Sequence, residues 1–241
     1  MFYDNNVDLP RIIILYGPPG SGKGTQAELL GKFLDGYELF DFGTKLREFV
    51  NNNQTSSNSD QFSDFDRAKR IEDRMLSGQT VLIDDLRYVL EKDLIESLKN
   101  FKGLIIQGPG RMIEEAAWLS GFFKENRLTS CIFHLHITLE DVIKRLTSRY
   151  FVNGSNHPYP SYEEALKFCK SGEKPIRRKD DASVDNIIAR YRNQYKKNFA
   201  QILFTYQLNA RSIVFIIDAS QAILDIHSDI ATEIELFFNI N

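Results

Sequence analysis

Residues 17–25 read Gly-Pro-Pro-Gly-Ser-Gly-Lys-Gly-Thr, and no other stretch restricts the fold as strongly. In a G-x-x-x-x-G-K pattern the glycines permit positive φ, so that successive backbone N–H groups converge on one anion. The run before it, Arg11-Ile12-Ile13-Ile14-Leu15-Tyr16, is apolar and β-branched, which predicts a fully buried parallel strand. The run after it, Gln26 to Leu34, predicts a helix stopped by Asp35-Gly36. A helix that starts there aims its positive end at the same anion, and Lys23 adds a point charge suited to β- and γ-phosphates. In the common form of this loop a Ser or Thr follows the lysine and touches magnesium. Here Gly24 follows, and Thr25 comes one position later.

The remaining patterns extend that unit. Strands are predicted at Tyr37 to Phe42, Gly103 to Ile106, Cys131 to Ile137 and Ser212 to Ile217. Helices are predicted at Gly43 to Val50, Phe62 to Leu76, Val81 to Leu98, Arg111 to Leu119, Leu139 to Tyr150, Val184 to Leu208 and Gln221 to Phe238. Alternation of this kind implies an α/β domain, a parallel five-stranded sheet flanked by helices, occupying 1–241 as one unit. Two excursions, 43–100 and 150–177, do not fit the minimal alternation and are candidate flaps over the site.

Bulk properties narrow the partners. The net charge of -3 argues against a general nucleic-acid binder. Residues 144–197 hold 13 Lys/Arg against 6 Asp/Glu, a local excess that suits a polyphosphate ligand. The two cysteines, Cys131 and Cys169, have neither disulfide-framework nor zinc spacing. His134 and His136 share one strand face, where ordinary strand histidines outweigh a two-histidine metal site; His157 reads as a loop residue and His227 as a solvated helix residue. No apolar run reaches membrane-spanning length, and Met1 to Arg11 has no signal-peptide core. The expectation is a cytoplasmic monomer that contacts neither nucleic acid nor membrane.

Gly20-Ser21-Gly22-Lys23-Gly24-Thr25-Gln26 resembles the loop of the adenylate kinase, or nucleoside monophosphate kinase, family, and the resemblance continues along the chain. Gly43-Thr44-Lys45-Leu46-Arg47 resembles the family's G-D-x-L-R, and Gln107-Gly108-Pro109-Gly110-Arg111 stands where D-G-F-P-R would be. Arg145-Leu146-Thr147-Ser148-Arg149 is similar to R-L-x-x-R. Gly172-Glu173 through Arg178-Lys179-Asp180-Asp181 resembles the motif that closes the family's lid. Arg190 follows with one extra residue before it, and Asp218-Ala219-Ser220 resembles the D-G-x ahead of the last helix.

The resemblance implies a two-nucleotide site that uses ATP, a nucleoside monophosphate and Mg2+ held mainly through phosphates and water, in nucleotide biosynthesis. On the ATP side it implies Gly20, Ser21, Gly22, Lys23, Gly24, Thr25, Arg145, Arg149 and the main chain near Gln221. On the acceptor side it implies Arg47, Gln79, Thr80, Val81, Gly108, Arg111, Glu115, Arg178 and Arg190, with 43–100 as the acceptor-binding insertion and 150–177 as a lid. Lys23, Arg111, Arg149, Arg178 and Arg190 would be the catalytic set. Such a set has a physical reason: two phosphate chains repel one another, and paired N–H donors on planar guanidinium groups offset that charge. Asp180 and Asp181 read as arginine partners.

Three positions depart from the pattern. Gln107 replaces an aspartate that helps organise the magnesium waters, Phe42 replaces a threonine near the acceptor base, and Glu115 stands where a glutamine reads adenine. A carboxylate only accepts hydrogen bonds, so Glu115 favours a base that presents donors, such as guanine or cytosine. AMP is the default acceptor. Rival readings are a P-loop ATPase with Val81-Leu82-Ile83-Asp84-Asp85 as a magnesium-binding strand, and a non-catalytic nucleotide sensor.

Overall fold

The computed structural model describes residues 9–54, 62–77, 79–109, 112–153, 158–177, 181 and 183–238. Arg111, Arg178, Asp180 and His157 therefore lie outside the described residues, as do Gly110 and Lys179.

Strand β1, Ile12–Tyr16, is buried at every position, which is why its sequence shows no polar alternation. It lies at the centre of an all-parallel sheet in the order β2-β3-β1-β4-β5, with β2 Tyr37–Asp41, β3 Gly103–Gln107, β4 Ser130–His136 and β5 Ser212–Asp218. Helices α1 (Lys23–Phe33) and α10 (Ile223–Phe238) pack together, as do α5 (Ile113–Glu125) and α9 (Phe199–Gln207). The expected five-stranded sheet is thus present. The chain leaves β1 in one direction to reach β2 and crosses it again to reach β4. In open sheets of this kind that switch point, at the carboxyl ends of the strands, opens the ligand crevice.

Between β2 and β3 the chain makes three helices, α2 (Phe42–Asn52), α3 (Phe62–Leu76) and α4 (Ile83–Asn100). Asp41 caps α2 by accepting from the Thr44 N–H at 2.7 Å. Asp84 and Asp85 fall in the first turn of α4, so Val81 to Asp85 is not a strand. Asp85 is 2% exposed and is held by Arg67 and Arg70 of α3 at 2.8–2.9 Å. Helix α6 spans Leu139–Ser148. The 150–177 excursion carries a short helix α7, Tyr162–Leu166, and its base is tied by antiparallel bridges Tyr150↔Tyr159 and Phe151↔Ile176.

Several boundaries differ from the sequence reading: Phe42 starts α2 and is not part of β2, α4 runs Ile83–Asn100, α5 continues to Glu125 and α6 ends at Ser148. Helix α1 begins at Lys23, three residues before Gln26, because Gly22 at φ 92° makes the turn into it. The predicted continuous helix over 184–208 is broken into α8 (Val184–Arg190), a π-helical segment (Tyr191–Lys196) and α9. Ile187, Tyr191, Tyr195 and Phe199 recur every four residues, a spacing that drifts off one face of a 3.6-residue helix. The wide turn, with the Lys197 N–H reaching back to Arg192 C=O at 3.0 Å, keeps them facing the sheet. Among the described residues no helix is long and apolar enough to cross a membrane.

Candidate active site

The loop between β1 and α1 is shaped by close approach. A Cβ on Gly17 would lie 2.7 Å from the Leu135 carbonyl, so only glycine lets the chain leave β1 against β4. Gly20 turns at φ 83° and lies against Leu146 of α6. Inside this turn the Lys23 ammonium donates to Gly17 C=O and Pro18 C=O, both at 2.8 Å, so its charge is held over the loop mouth at the N-terminus of α1. Ser21 is fully buried, and Thr25 follows on the first turn of α1.

Arg145 projects from α6 to the same mouth. Its guanidinium lies 3.5 Å from Gly20 C=O and 3.4–3.5 Å from Ser220 and Gln221 C=O. Three of the ATP-side candidates from separate parts of the chain, Gly20, Arg145 and Gln221, are thereby brought together. The Gln107 amide at the end of β3 lies 3.6 Å from where a Cβ on Gly24 would be, which puts this replacement beside the unusual glycine of the loop.

A second cluster forms around Asp181, which is 1% exposed. Arg149 donates Nε to Asp181 Oδ2 at 2.7 Å, and its terminal nitrogen lies 2.6 Å from the same oxygen. Arg190 donates to Oδ1 at 3.1 Å, and Arg177 donates to the Asp181 carbonyl at 3.3 Å. The extra residue before Arg190 does not remove it from this group.

Among the residues expected on the acceptor side, Arg47 donates to the Thr44 hydroxyl at 3.0 Å and lies 3.6 Å from Asp41. Sequence reasoning passed over Asp41; its signal was a capping aspartate three residues before a threonine. Gly108, at φ 92°, backs onto the Phe42 Cβ. Phe42 is buried against Phe40 and Trp118. Gln79 and Thr80 end the turn after α3: the Gln79 N–H donates to Arg74 C=O at 2.8 Å, and Thr80 C=O accepts from Arg74 Nε at 2.6 Å. Val81 is buried.

Glu115 is 3% exposed, and its carboxylate charge adds to burial in raising the hydroxyl pKa values of Tyr16 and Tyr206. His134 is also buried, with Nε2 2.7 Å from the Tyr195 hydroxyl. Burial, then the neighbouring His136, lowers its pKa from 6.5 to about 4. Among the described residues no group of three His, Cys, Asp or Glu side chains could hold a metal ion.

A phosphate loop at the switch point of a parallel sheet, with arginines gathered from three later segments, defines a P-loop phosphotransferase. An AAA domain family pattern matches residues 16–164. The adenylate kinase of Buchnera aphidicola subsp. Cinara cedri is 28% identical over 234 residues, covering 95% of this chain and 96% of that protein. That of Ureaplasma urealyticum serovar 10 is 27% identical, covering 90% and 95%, and that of Pelagibacter ubique is 25% identical, covering 82% and 88%. The chain belongs to the AAA domain family whose pattern it matches, and its similarity over most of its length makes it a divergent member of the adenylate kinase and nucleoside monophosphate kinase family.

Proposed function

We propose that this phosphotransferase moves the γ-phosphoryl group of ATP reversibly to a nucleoside monophosphate, with AMP as the default acceptor. The observation that carries the reading is the Lys23 ammonium, fixed inside the loop by two carbonyl hydrogen bonds. Lys23 and the N-terminus of α1 would hold the β- and γ-phosphates. Arg145 and the Gln221 main chain would border the ATP base. Arg149 and Arg190 would neutralise charge that spreads over the transferred group, since positioning and electrostatics supply most of this catalysis. Arg47 and Gly108 would border the acceptor, together with Arg111, Arg178 and the Gln79 to Val81 main chain.

The donor chemistry beside the loop is a Thr25 hydroxyl and a Gln107 amide, with no carboxylate cage among the described residues. That set fits a Mg2+ carried on the nucleotide, which would supply charge neutralisation at the phosphates. Thr25 and Gln107 would orient its waters.

Lys23→Ala is expected to lower transfer by about a thousandfold or more, measured as ADP formed from ATP and AMP. Transfer that survives this substitution would sink the reading. A second reading concerns the acceptor. Glu115 is a buried carboxylate at the position where the family resemblance puts base recognition. It supports a base that presents N–H donors. Rates with AMP, GMP, CMP and UMP decide: AMP favoured by about a hundredfold, roughly 2.7 kcal/mol, rules the carboxylate argument out.

A further inference from the structure

Strand β2 ends in Asp41, and α2 begins on the next residue. Asp41 pairs in register with Gln107, the β3 residue beside Gly24 of the phosphate loop. The start of α2 therefore stands in the same crevice, two strands from β1.

Asp41 does more there than cap a helix. Its Oδ1 accepts from the Thr44 N–H and from the Thr44 hydroxyl, both at 2.7 Å. A hydroxyl has one proton, so once that proton is committed to Asp41 only acceptor capacity is left. Arg47 uses it. Its Nη2 donates to Thr44 Oγ1 at 3.0 Å, and the same nitrogen lies 3.6 Å from Asp41 Oδ1. Residues three apart on a helix are neighbours, and side chains lean towards its N-terminus, so Arg47 folds back over the first turn of α2. Gly43 leaves the space it fills: a Cβ there would stand 3.2 Å from Arg47 Nη1 and 3.4 Å from Asp41 Oδ1. The Arg47 side chain is 52% exposed, so packing alone does not fix it. A guanidinium carries five N–H donors in a rigid fork, and a relay through Nη2 leaves others for a phosphate.

We infer that Asp41 and Thr44 are positioning residues for Arg47, holding its guanidinium in place for the acceptor's phosphate before that phosphate arrives. The inference rests on the acceptor-side reading of Arg47 given above. Two opposing effects decide its sign. Freezing an arginine side chain costs the equivalent of up to about thirtyfold in affinity, and the relay removes part of that penalty before binding. The Asp41 charge repels the phosphate, but across a guanidinium in water, roughly 7 Å, it does so by less than about tenfold. Ordering wins, and the relay tightens acceptor binding.

Steady-state kinetics of the full chain test it, with whichever of AMP, GMP, CMP and UMP is the best acceptor. Thr44→Val keeps the side-chain shape and the N–H that Asp41 caps, and removes the hydroxyl. It is expected to raise KM for the monophosphate about tenfold while KM for ATP stays within about twofold. Its far-ultraviolet circular dichroism spectrum is expected to be unchanged. Thr44→Ser, which keeps the hydroxyl, is expected to restore the wild-type KM. Asp41→Gly removes the anchor of that hydroxyl at a position where a helix tolerates glycine. It is expected to raise the same KM about threefold, less than Thr44→Val because the repulsion goes with it. In an Arg47→Ala background Thr44→Val is expected to add nothing. The inference is overturned by a monophosphate KM that stays unchanged in Thr44→Val, by a serine variant as impaired as the valine one, by a KM lowered in Asp41→Gly, or by effects that add in the Arg47→Ala background. A wild type that transfers to none of the four overturns the kinase reading instead. The same variants are then compared by equilibrium dialysis of AMP and GMP, where an unchanged Kd in Thr44→Val, or no binding to the wild type, overturns the inference as well.

Discussion

Asp181 holds two arginines at once, and that makes it the most consequential carboxylate of the site. With both oxygens occupied by Arg149 and Arg190, the two side chains are ordered before any phosphate arrives. Asp181→Asn keeps the volume but removes the charge. The expected result is a fall in kcat of about a hundredfold and a stability loss of about 2–3 kcal/mol, since breaking a buried pair strands its partners. Single-turnover rates and urea melts measure the two effects; an unchanged kcat would show that the arginines need no such anchor. His134 gives a prediction in pH. Its folded pKa, about 4, lies below its ordinary 6.5. The neutral ring is therefore the form the fold prefers, its contribution is fully present above 6.5, and it is lost as pH falls from 6.5 towards 4. Urea melts through that window are expected to show a pH slope that His134→Asn reduces. Asp181 was legible beforehand as an arginine partner, and the structure adds which arginines it holds; the environment of His134 was not, since two alternating histidines show a shared face, but not that the first is buried against Tyr195 and the second exposed.

Among the elements, those with a period matched by their packing were legible. The helix over Phe62–Leu76 carries the boundaries its charge pattern and Ser77-Gly78 stop imply. The five strands were found from short, largely apolar runs, and those of β1, β3 and β4 are buried along nearly their whole length. The break at Tyr191–Lys196 was not, because a four-residue repeat passes for a helical stripe until the sheet shows which ring must face it. The α3–α4 pair depends on a feature with no periodic signal, the Asp85 carboxylate between Arg67 and Arg70. The Arg70 hydrogen bond, set against burial, leaves the Asp85 pKa below its usual 3.8. Its stabilisation is therefore complete above that value and disappears as pH falls through the lowered one. Asp85→Asn is expected to cost about 1–3 kcal/mol, the lower end allowing for an Arg70 side chain that is 45% exposed. Calorimetry at neutral pH checks the loss. Hydrogen exchange is expected to place the new opening in α3 and α4, and uniform exchange across the sheet would contradict the assignment.

For the whole molecule, the parallel five-stranded sheet followed from the strand–helix alternation, whereas its strand order and the open edge at β5 did not, since apolar runs on central and edge strands look alike. The donor half of the site was legible because its residues are contiguous at Gly17 to Thr25. The acceptor half was legible only as dispersed motifs, and Arg111 and Arg178 fall outside the described residues. A ligand that spans both halves joins them in one measurement. A dinucleoside polyphosphate carrying two adenines would engage Lys23, Arg145 and Arg149 together with the acceptor side, and it would bind only the folded chain. At about a hundred times its Kd it adds roughly 2.7 kcal/mol of stability. In a chain of 241 residues, each kcal/mol raises Tm by about 2–4 °C, so a rise of about 5–10 °C is expected. Lys23→Ala should abolish most of it, because the charge that holds the central phosphates is gone. Trp118, the one tryptophan, lies 6.4 Å from Phe42 on the acceptor side, and its fluorescence is expected to change with the same ligand. A Tm rise with ATP alone as large as with the two-headed ligand, and no change at Trp118, would mean that the acceptor half does not bind adenine, and would favour a donor-bearing base read at Glu115.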